Sequence, residues 1–123
     1  MDKRRVGQTK LEIDSLGLGG APLGGNFADL GYAQAEELIK AAKNIGIGYF
    51  DTAPWYGFGR SERVMGDVLR GSEYILSDKV GRLLAPGPVK NPADFGMVDP
   101  LPFTVVYDYS YDGIMRAYED NLQ

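Results

Sequence analysis

The chain of 123 residues carries 13 Lys and Arg against 17 Asp and Glu, a net charge of -4, with 44% hydrophobic and 24% charged residues and neither His nor Cys. These proportions fit one globular domain and exclude collagen, coiled coil, disulfide scaffold and disordered tail, while the acidic balance argues against a nucleic-acid partner, whose phosphates call for Lys and Arg. Without His or Cys, thiol nucleophiles, Ser-His-Asp triads and ordinary zinc sites are out of reach, so catalysis must use Asp, Glu, Lys, Arg, Tyr or Ser and no metal is expected.

No apolar run approaches the roughly 18 to 20 residues that a membrane span needs. The start, Met1-Asp2-Lys3-Arg4-Arg5, leads into a polar stretch where a signal peptide would have an apolar core. The expected location is the cytoplasm, with no membrane partner.

Arg5-Val6, Gly7-Gln8-Thr9 and Lys10-Leu11-Glu12-Ile13 predict a short hairpin, with Leu11 and Ile13 on one side of its second strand, acting as a lid or plug. Leu16-Gly17-Leu18-Gly19-Gly20 predicts a buried strand and a turn of close backbone approach. A helix is expected from Ala33 to Asn44, with Leu38, Ile39, Ala42 and Ile45 as its stripe and Gly46 as left-handed cap. Gly48-Tyr49-Phe50-Asp51 is a strand ending in a carboxylate. Ser61 is expected to N-cap the next helix, whose stripe is Val64, Met65, Val68 and Leu69 and whose end is Gly71. Tyr74 to Val80 is the next strand. This alternation predicts βαβ units, with parallel strands and helices on the outer face.

Gly81 to Pro102 holds five of the seven prolines and no convincing period, and predicts a loop of about 20 residues, a length usually functional or mobile. Phe103 to Tyr107 is an extended segment. Ser110 caps a last helix with Ile114, Met115, Tyr118 and Leu122 on one face.

Reactive groups of parallel βα folds collect at the C-terminal ends of the strands. Asp51 and Lys79 occupy such ends, and parallel neighbours lie about 4.8 Å apart, close enough for an ion pair. Tyr56 follows Asp51 by five residues. A tyrosine with a pKa of about 10 releases its proton reluctantly; a nearby Lys79 ammonium would stabilise the phenolate, and Asp51 would keep Lys79 charged and oriented. The three would make a general acid for a carbonyl oxygen or a base for an alcohol. Taken singly, a tyrosine in a Gly-Pro loop is a packing residue and a strand-end lysine a solvated one. Gly17, Gly19 and Gly20 do not give the G-x-G-x-x-G dinucleotide fingerprint. Ser61-Glu62 is most simply a cap and a carboxylate favoured by the helix dipole, and Asp108, Asp112, Glu119 and Asp120 cover a solvated helix and its approach.

The segment Phe50-Asp51-Thr52-Ala53-Pro54-Trp55-Tyr56-Gly57-Phe58-Gly59-Arg60-Ser61-Glu62 resembles the aldo-keto reductase signature. The hairpin, Leu18-Gly19-Gly20 and Ser77-Asp78-Lys79-Val80-Gly81-Arg82 are similar to that family in order and spacing. Val106 to Gly113 looks like the branch that includes D-threo-aldose (L-fucose) dehydrogenases and pyridoxal 4-dehydrogenase.

The resemblance implies an α/β fold of the (β/α)8 TIM barrel type, of which this chain supplies an N-terminal part, the hairpin plus about three βα units, as one piece of a single domain over residues 1–123. It also implies NADP or NAD as hydride carrier and an aldehyde, ketone or sugar lactol as substrate. Asp51, Tyr56 and Lys79 correspond to three members of the catalytic tetrad, and Gly20, Ala21 and Asp51 to positions at the nicotinamide end. The fourth member is a His, which this chain lacks, so the chain alone is expected to be inactive. A whole barrel takes about 250 residues. Three strands with helices on one side leave an inner face and two edges uncovered, so the rest of a barrel or an oligomeric partner is expected to cover them. Two other readings stay open. One is a noncatalytic truncated-barrel module that assembles with itself or a partner; the other is a barrel relative that binds the nucleotide as a sensor.

Overall fold

The computed structural model describes residues 1–89 and 92–122. A hairpin, β1 (Lys3–Arg5) and β2 (Glu12–Asp14), precedes three parallel strands, β3 (Leu18–Gly19), β4 (Tyr49–Asp51) and β5 (Ile75–Ser77), in the order β3-β4-β5. The crossovers are α1 (Gly31–Asn44) and α2 (Arg60–Leu69). The expected βαβαβ alternation is therefore present. An antiparallel pair, β6 (Arg82–Pro86) and β7 (Phe103–Tyr107), and then α3 (Tyr111–Asn121) follow.

The hairpin attaches to the sheet through Asp14, which is buried and accepts a hydrogen bond from the Gly48 amide at 2.6 Å and an ion pair from Lys3 at 3.3 Å. The Gly48 amide, foremost, holds the Asp14 carboxyl below the usual range despite the opposing cost of burial. Leu11 is exposed and Ile13 half-buried, so polar anchoring at Asp14 fixes this plug more than the expected apolar side does.

The core fills the space between α1, α2 and one face of β4: Leu23, Ala35, Ile39, Ala42, Ile47, Phe50, Val64, Met65 and Leu69. Phe50 points into it, and strand alternation turns Tyr49 and Asp51 to the other face. In α1 the buried line is Ala35, Ile39 and Ala42, at the i, i+4, i+7 spacing of one helical face. Leu38 and Ile45, expected in that stripe, are exposed at 40% and 69%: Leu38 sits about 100° around the helix from Ile39, and Ile45 is the C-cap, past the last helical residue. Gly46 takes the left-handed conformation (φ 89°) that its place in the sequence predicts. The α2 stripe is as expected, with Val64, Met65 and Leu69 buried and Val68 packed at the margin.

Three expectations are corrected. Ser61 does not cap α2: the cap is Gly59 (φ 94°), without a side-chain hydrogen bond, and the Ser61 hydroxyl is wholly buried and bonded elsewhere. The stretch from Gly81 to Pro102 is not all loop. Arg82–Pro86 forms β6, paired from Arg82↔Tyr107 to Pro86↔Phe103, and Pro92–Phe95 is a short 3-10 turn. A strand ending in proline is tolerated because β6 is an edge, where its missing N–H leaves no ladder unfilled. Lys90 and Asn91 of that stretch lie outside the described residues. Finally, Ser110 caps α3 as expected, accepting from the Gly113 amide at 3.1 Å, but Ile114, Met115, Tyr118 and Leu122 are exposed, and Gly113 and Ala117 are the buried positions. Among the described residues no helix is long and apolar enough to cross a membrane.

Candidate active site

Asp51 is the last residue of β4, and the loop after it is shaped by three successive residues of positive φ, Gly57 (67°), Phe58 (50°) and Gly59 (94°). Side chains rarely adopt this conformation, and the two glycines carry most of the turn. The loop is pressed against the 3-10 turn Pro22–Gly24, where a Cβ on Gly24 would collide with the Tyr56 backbone and one on Gly57 with the Gly24 backbone. Hydrogen bonds from the Tyr56 amide to Ala53 O (3.0 Å) and from the Ser61 amide to Tyr56 O (3.1 Å) complete the fixing of Tyr56.

Lys79 reaches this loop from β5. Its Nζ donates to Asp51 Oδ1 at 2.6 Å and to the Thr52 carbonyl at 2.8 Å, and lies 5.0 Å from the centre of the Tyr56 ring. The structure thus brings together the three residues that the sequence singled out. The register differs from expectation: Asp51 lies opposite Ser77, and Lys79 stands two residues past the end of β5. Partial burial pulls the Lys79 pKa down, but the Asp51 carboxylate, and after it the Tyr56 phenol, outweigh burial and leave it above the ordinary lysine value. Lys79 is therefore a fixed positive charge beside the phenol at neutral pH.

Several supporting residues escaped the sequence reading. Ser77 Oγ donates to Asp51 Oδ2 at 2.6 Å and lies 3.0 Å from the Tyr49 hydroxyl, so both oxygens of the Asp51 carboxylate are held. The signal was available in the expected strand Tyr74 to Val80, in which Ser77 and Lys79 are two apart and would share a face. Thr52 and Ser61, both wholly buried, form a chain: Thr52 Oγ1 donates to Ser61 Oγ at 2.9 Å, which donates to Gly20 O at 2.8 Å. Arg60 donates to Val98 O (3.0 Å) and Asp99 O (3.2 Å) and pairs with Asp29 at 3.0 Å, so the excursion between β6 and β7 is tied to the loop of Tyr56. Trp55, Phe58 and Phe95 pack edge to face with ring centres 5.4 to 5.9 Å apart, adding an aromatic clasp. From the far side, Asn121 of α3 donates to Lys79 O at 3.1 Å.

Glu62 is not the solvated dipole partner that its place at a helix start suggests. Burial, followed by repulsion from Asp78, pushes its carboxyl up to about 8, and Asp78 is raised as well, burial first.

Gly20, expected at the nicotinamide end, has little freedom to contact a ligand. Its amide donates to Asp51 O at 2.7 Å, its carbonyl takes the Ser61 hydroxyl, and a Cβ there would meet Ser61, Met65 and Asp51 O. The structure gives Gly20 a packing reason: it lets α2 close onto the sheet. Ala21 and Asp51 are half-buried just after β3 and at the end of β4. No cluster of acids able to hold a metal is present among the described residues.

The aldo/keto reductase family profile matches residues 15–123. The chain is 47% identical to pyridoxal 4-dehydrogenase of Microbacterium luteolum, with 99% of this chain and 39% of that protein aligned. It is 38% identical to D-threo-aldose 1-dehydrogenase of a Pseudomonas species, over 92% of this chain and 36% of the relative. Among solved structures, an aldo-keto reductase of Bacillus halodurans in its holo form superposes with a TM-score of 0.72 at 27% identity, covering 99% of this chain and 35% of that one. The glycerol dehydrogenase of Gluconobacter oxydans gives 0.71 at 26% identity, covering 98% and 35%. The chain thus spans under two fifths of the length of these relatives. What it spans is part of a TIM barrel, and the chain belongs to the aldo/keto reductase family.

Proposed function

We propose that the complete protein is an NAD(P)-dependent oxidoreductase that interconverts an aldehyde, ketone or sugar lactol with its alcohol or lactone partner, with Tyr56 as general acid and base. The observation that carries this reading is the Lys79 ammonium held at 2.6 Å by Asp51 and placed 5.0 Å from the Tyr56 ring centre. Names of relatives, a pyridoxal and an aldose dehydrogenase, point to the same kind of substrate.

The chemistry that NAD(P)H would supply when bound is a hydride for the carbonyl carbon. The protein's own part concerns the proton. As the carbonyl oxygen gains charge, the Tyr56 hydroxyl gives it a proton, and the negative charge left on the phenol oxygen falls beside Lys79. Asp51 keeps Lys79 charged and aimed, and Ser77 keeps Asp51 from turning away. In the oxidative direction the ionised phenol oxygen, its charge beside Lys79, takes the proton of the alcohol. Ala21 and Asp51 would lie against the nicotinamide, with Gly20 holding the backbone behind them; the choice of NADP or NAD is not made by these residues. Covering of the open sheet face by the rest of a barrel or by a partner, and a cytoplasmic site of action, belong to the same reading.

Replacing Tyr56 by Phe in the complete enzyme is expected to lower kcat for carbonyl reduction at least about 100-fold, the size of a lost general acid, with NAD(P)H affinity kept. A Phe variant with unchanged turnover overturns the assignment. The 123-residue chain has no His to complete the tetrad implied by the family. It should show no measurable oxidation of NAD(P)H, and turnover by it alone would show that the tetrad is not needed.

A further inference from the structure

A cavity of about 190 Å3 opens beside Lys79, lined by Ala53, Pro54, Trp55, Val80, Arg82 and Tyr109. It is small against the roughly 300 to 1,000 Å3 of most ligand pockets, so it suits a single ring or a short chain. Two of its lining residues are cations and two are aromatic; none is acidic. The charge of Lys79 is answered by Asp51. That of Arg82 is not: among the described residues no carboxylate pairs with it, and its Nε is buried without a hydrogen bond.

The guanidinium is also held in one attitude. It lies 4.7 Å from the Trp55 ring centre and 5.5 Å from that of Tyr107, its cross-strand neighbour in β6–β7. Trp55 is in turn braced by Phe58 and Phe95. On the other side of the cavity Tyr109 is seated on Gly81, where φ is 87° and a Cβ would run into the Tyr109 ring. Aromatic rings answer the charge of a guanidinium without taking its N–H donors, and those donors form a fork that matches the paired oxygens of a carboxylate or phosphate. A partly buried cation without a counter-charge is costly, and an anion in the cavity removes that cost.

We propose that Arg82 is a specificity-determining residue that binds an anionic oxygen group, carboxylate or phosphate, on a small ring-bearing carbonyl substrate. The proposal rests on the carbonyl-reduction reading for what happens at the other end of the substrate, but the subsite itself is separable from it.

Trp55 is the one tryptophan of this chain and touches Arg82, so its fluorescence reports the subsite directly. Benzoate and phenyl phosphate are expected to change it saturably and benzamide not to; whichever anion binds more tightly identifies the favoured group. Arg82→Gln should weaken the anion's binding about tenfold or more, and Arg82→Lys, which keeps the charge but not the fork, should fall between. In the complete enzyme, the ratio of kcat/KM for 4-carboxybenzaldehyde to that for 4-methylbenzaldehyde should drop by a similar factor in Arg82→Gln. Circular dichroism checks that the variants keep the fold, and Arg82→Lys serves if Arg82→Gln does not. Equal binding of benzamide and benzoate, or anion binding indifferent to both substitutions, overturns the proposal. Anion binding that needs Arg82 in a protein without carbonyl turnover would support the subsite and overturn the redox reading instead.

Discussion

The two halves of the chain are built on different terms. From β3 to β5, α1 and α2 close over one face of a parallel sheet, and every member of the buried apolar cluster comes from residues 23 to 69. From β6 onward an antiparallel hairpin and α3 bury little of their own: Val106, Tyr107, Tyr109, Tyr111, Tyr118 and Leu122 are all exposed. The first half is a core that supports a site. The second is a frame that holds the site's loops from outside, by the Val98 and Asp99 carbonyls and Phe95 at the Tyr56 loop and Asn121 behind Lys79. The site sits on the seam, so a change in either half should be told apart by whether it costs stability or only geometry.

The sharpest break should come from Phe50, which is wholly buried in the middle of the first half. Phe50→Ala removes a large ring from a close-packed space and should cost about 3 to 5 kcal/mol, a large part of the stability of a small domain. Val106→Ala, on the exposed side of β7, should cost under about 1 kcal/mol. Denaturant unfolding of both variants measures the difference, and similar losses would mean that the hairpin shares one core with the sheet.

The legibility of the sequence follows the same division. Helices α1 and α2 and strands β4 and β5 announce themselves because burial against a single layer imposes a period on Ile39, Ala42, Val64, Met65 and Leu69. The ion pair of Asp51 and Lys79 follows from that alternation, because strand ends of a parallel sheet lie side by side. Ser61 misled: a serine at a helix start is normally a cap, but here Gly59 turns the chain and frees the Ser61 hydroxyl to bridge β3 and β4. Strand β6 was hidden by prolines because it is an edge, where proline does little harm, and its partner lies 21 residues away in register between Leu84 and Val105. Glu62 could not be read either. Its environment is set first by burial and then by Asp78, which follows β5 and is invisible to local spacing.

Glu62 offers a test of medium size at the join of α2 and the segment after β5. Its carboxyl ordinarily titrates at 4.5 and is raised to about 8 in the fold, by burial and by Asp78. Below about pH 4.5 both folded and unfolded chains hold the proton, and ionisation costs nothing. Between 4.5 and about 8 the unfolded chain has released it while the folded chain keeps it, so stability falls as pH rises; above about 8 the fall from this group ends. Glu62→Gln removes that slope. The variant should melt higher than the unaltered protein at pH 9 and lose the advantage toward pH 4. Parallel melting curves across that range would show that Glu62 is not the source, and a residual slope of the same sign would be that of Asp78, whose carboxyl is also raised.

The smallest effect is expected on α3. Ile114, Met115, Tyr118 and Leu122 follow one another at helical spacing on a face that nothing in the described chain covers, while Ala117 alone of the apolar residues is buried beneath. Tyr118 is 54% exposed, so Tyr118→Ser should change the unfolding free energy of this chain by no more than about 0.5 kcal/mol. An apolar helical face is nevertheless what a helix presents to a neighbour, and a barrel or an oligomer would bury it. The same substitution in the complete protein should then cost about 2 kcal/mol or more, since a large buried side chain is lost from contact instead of from solvent. The contrast between the two measurements, not either alone, reports the cover. Equal and small costs in both would mean that this face stays open in the assembled protein and that its apolar residues serve some other contact.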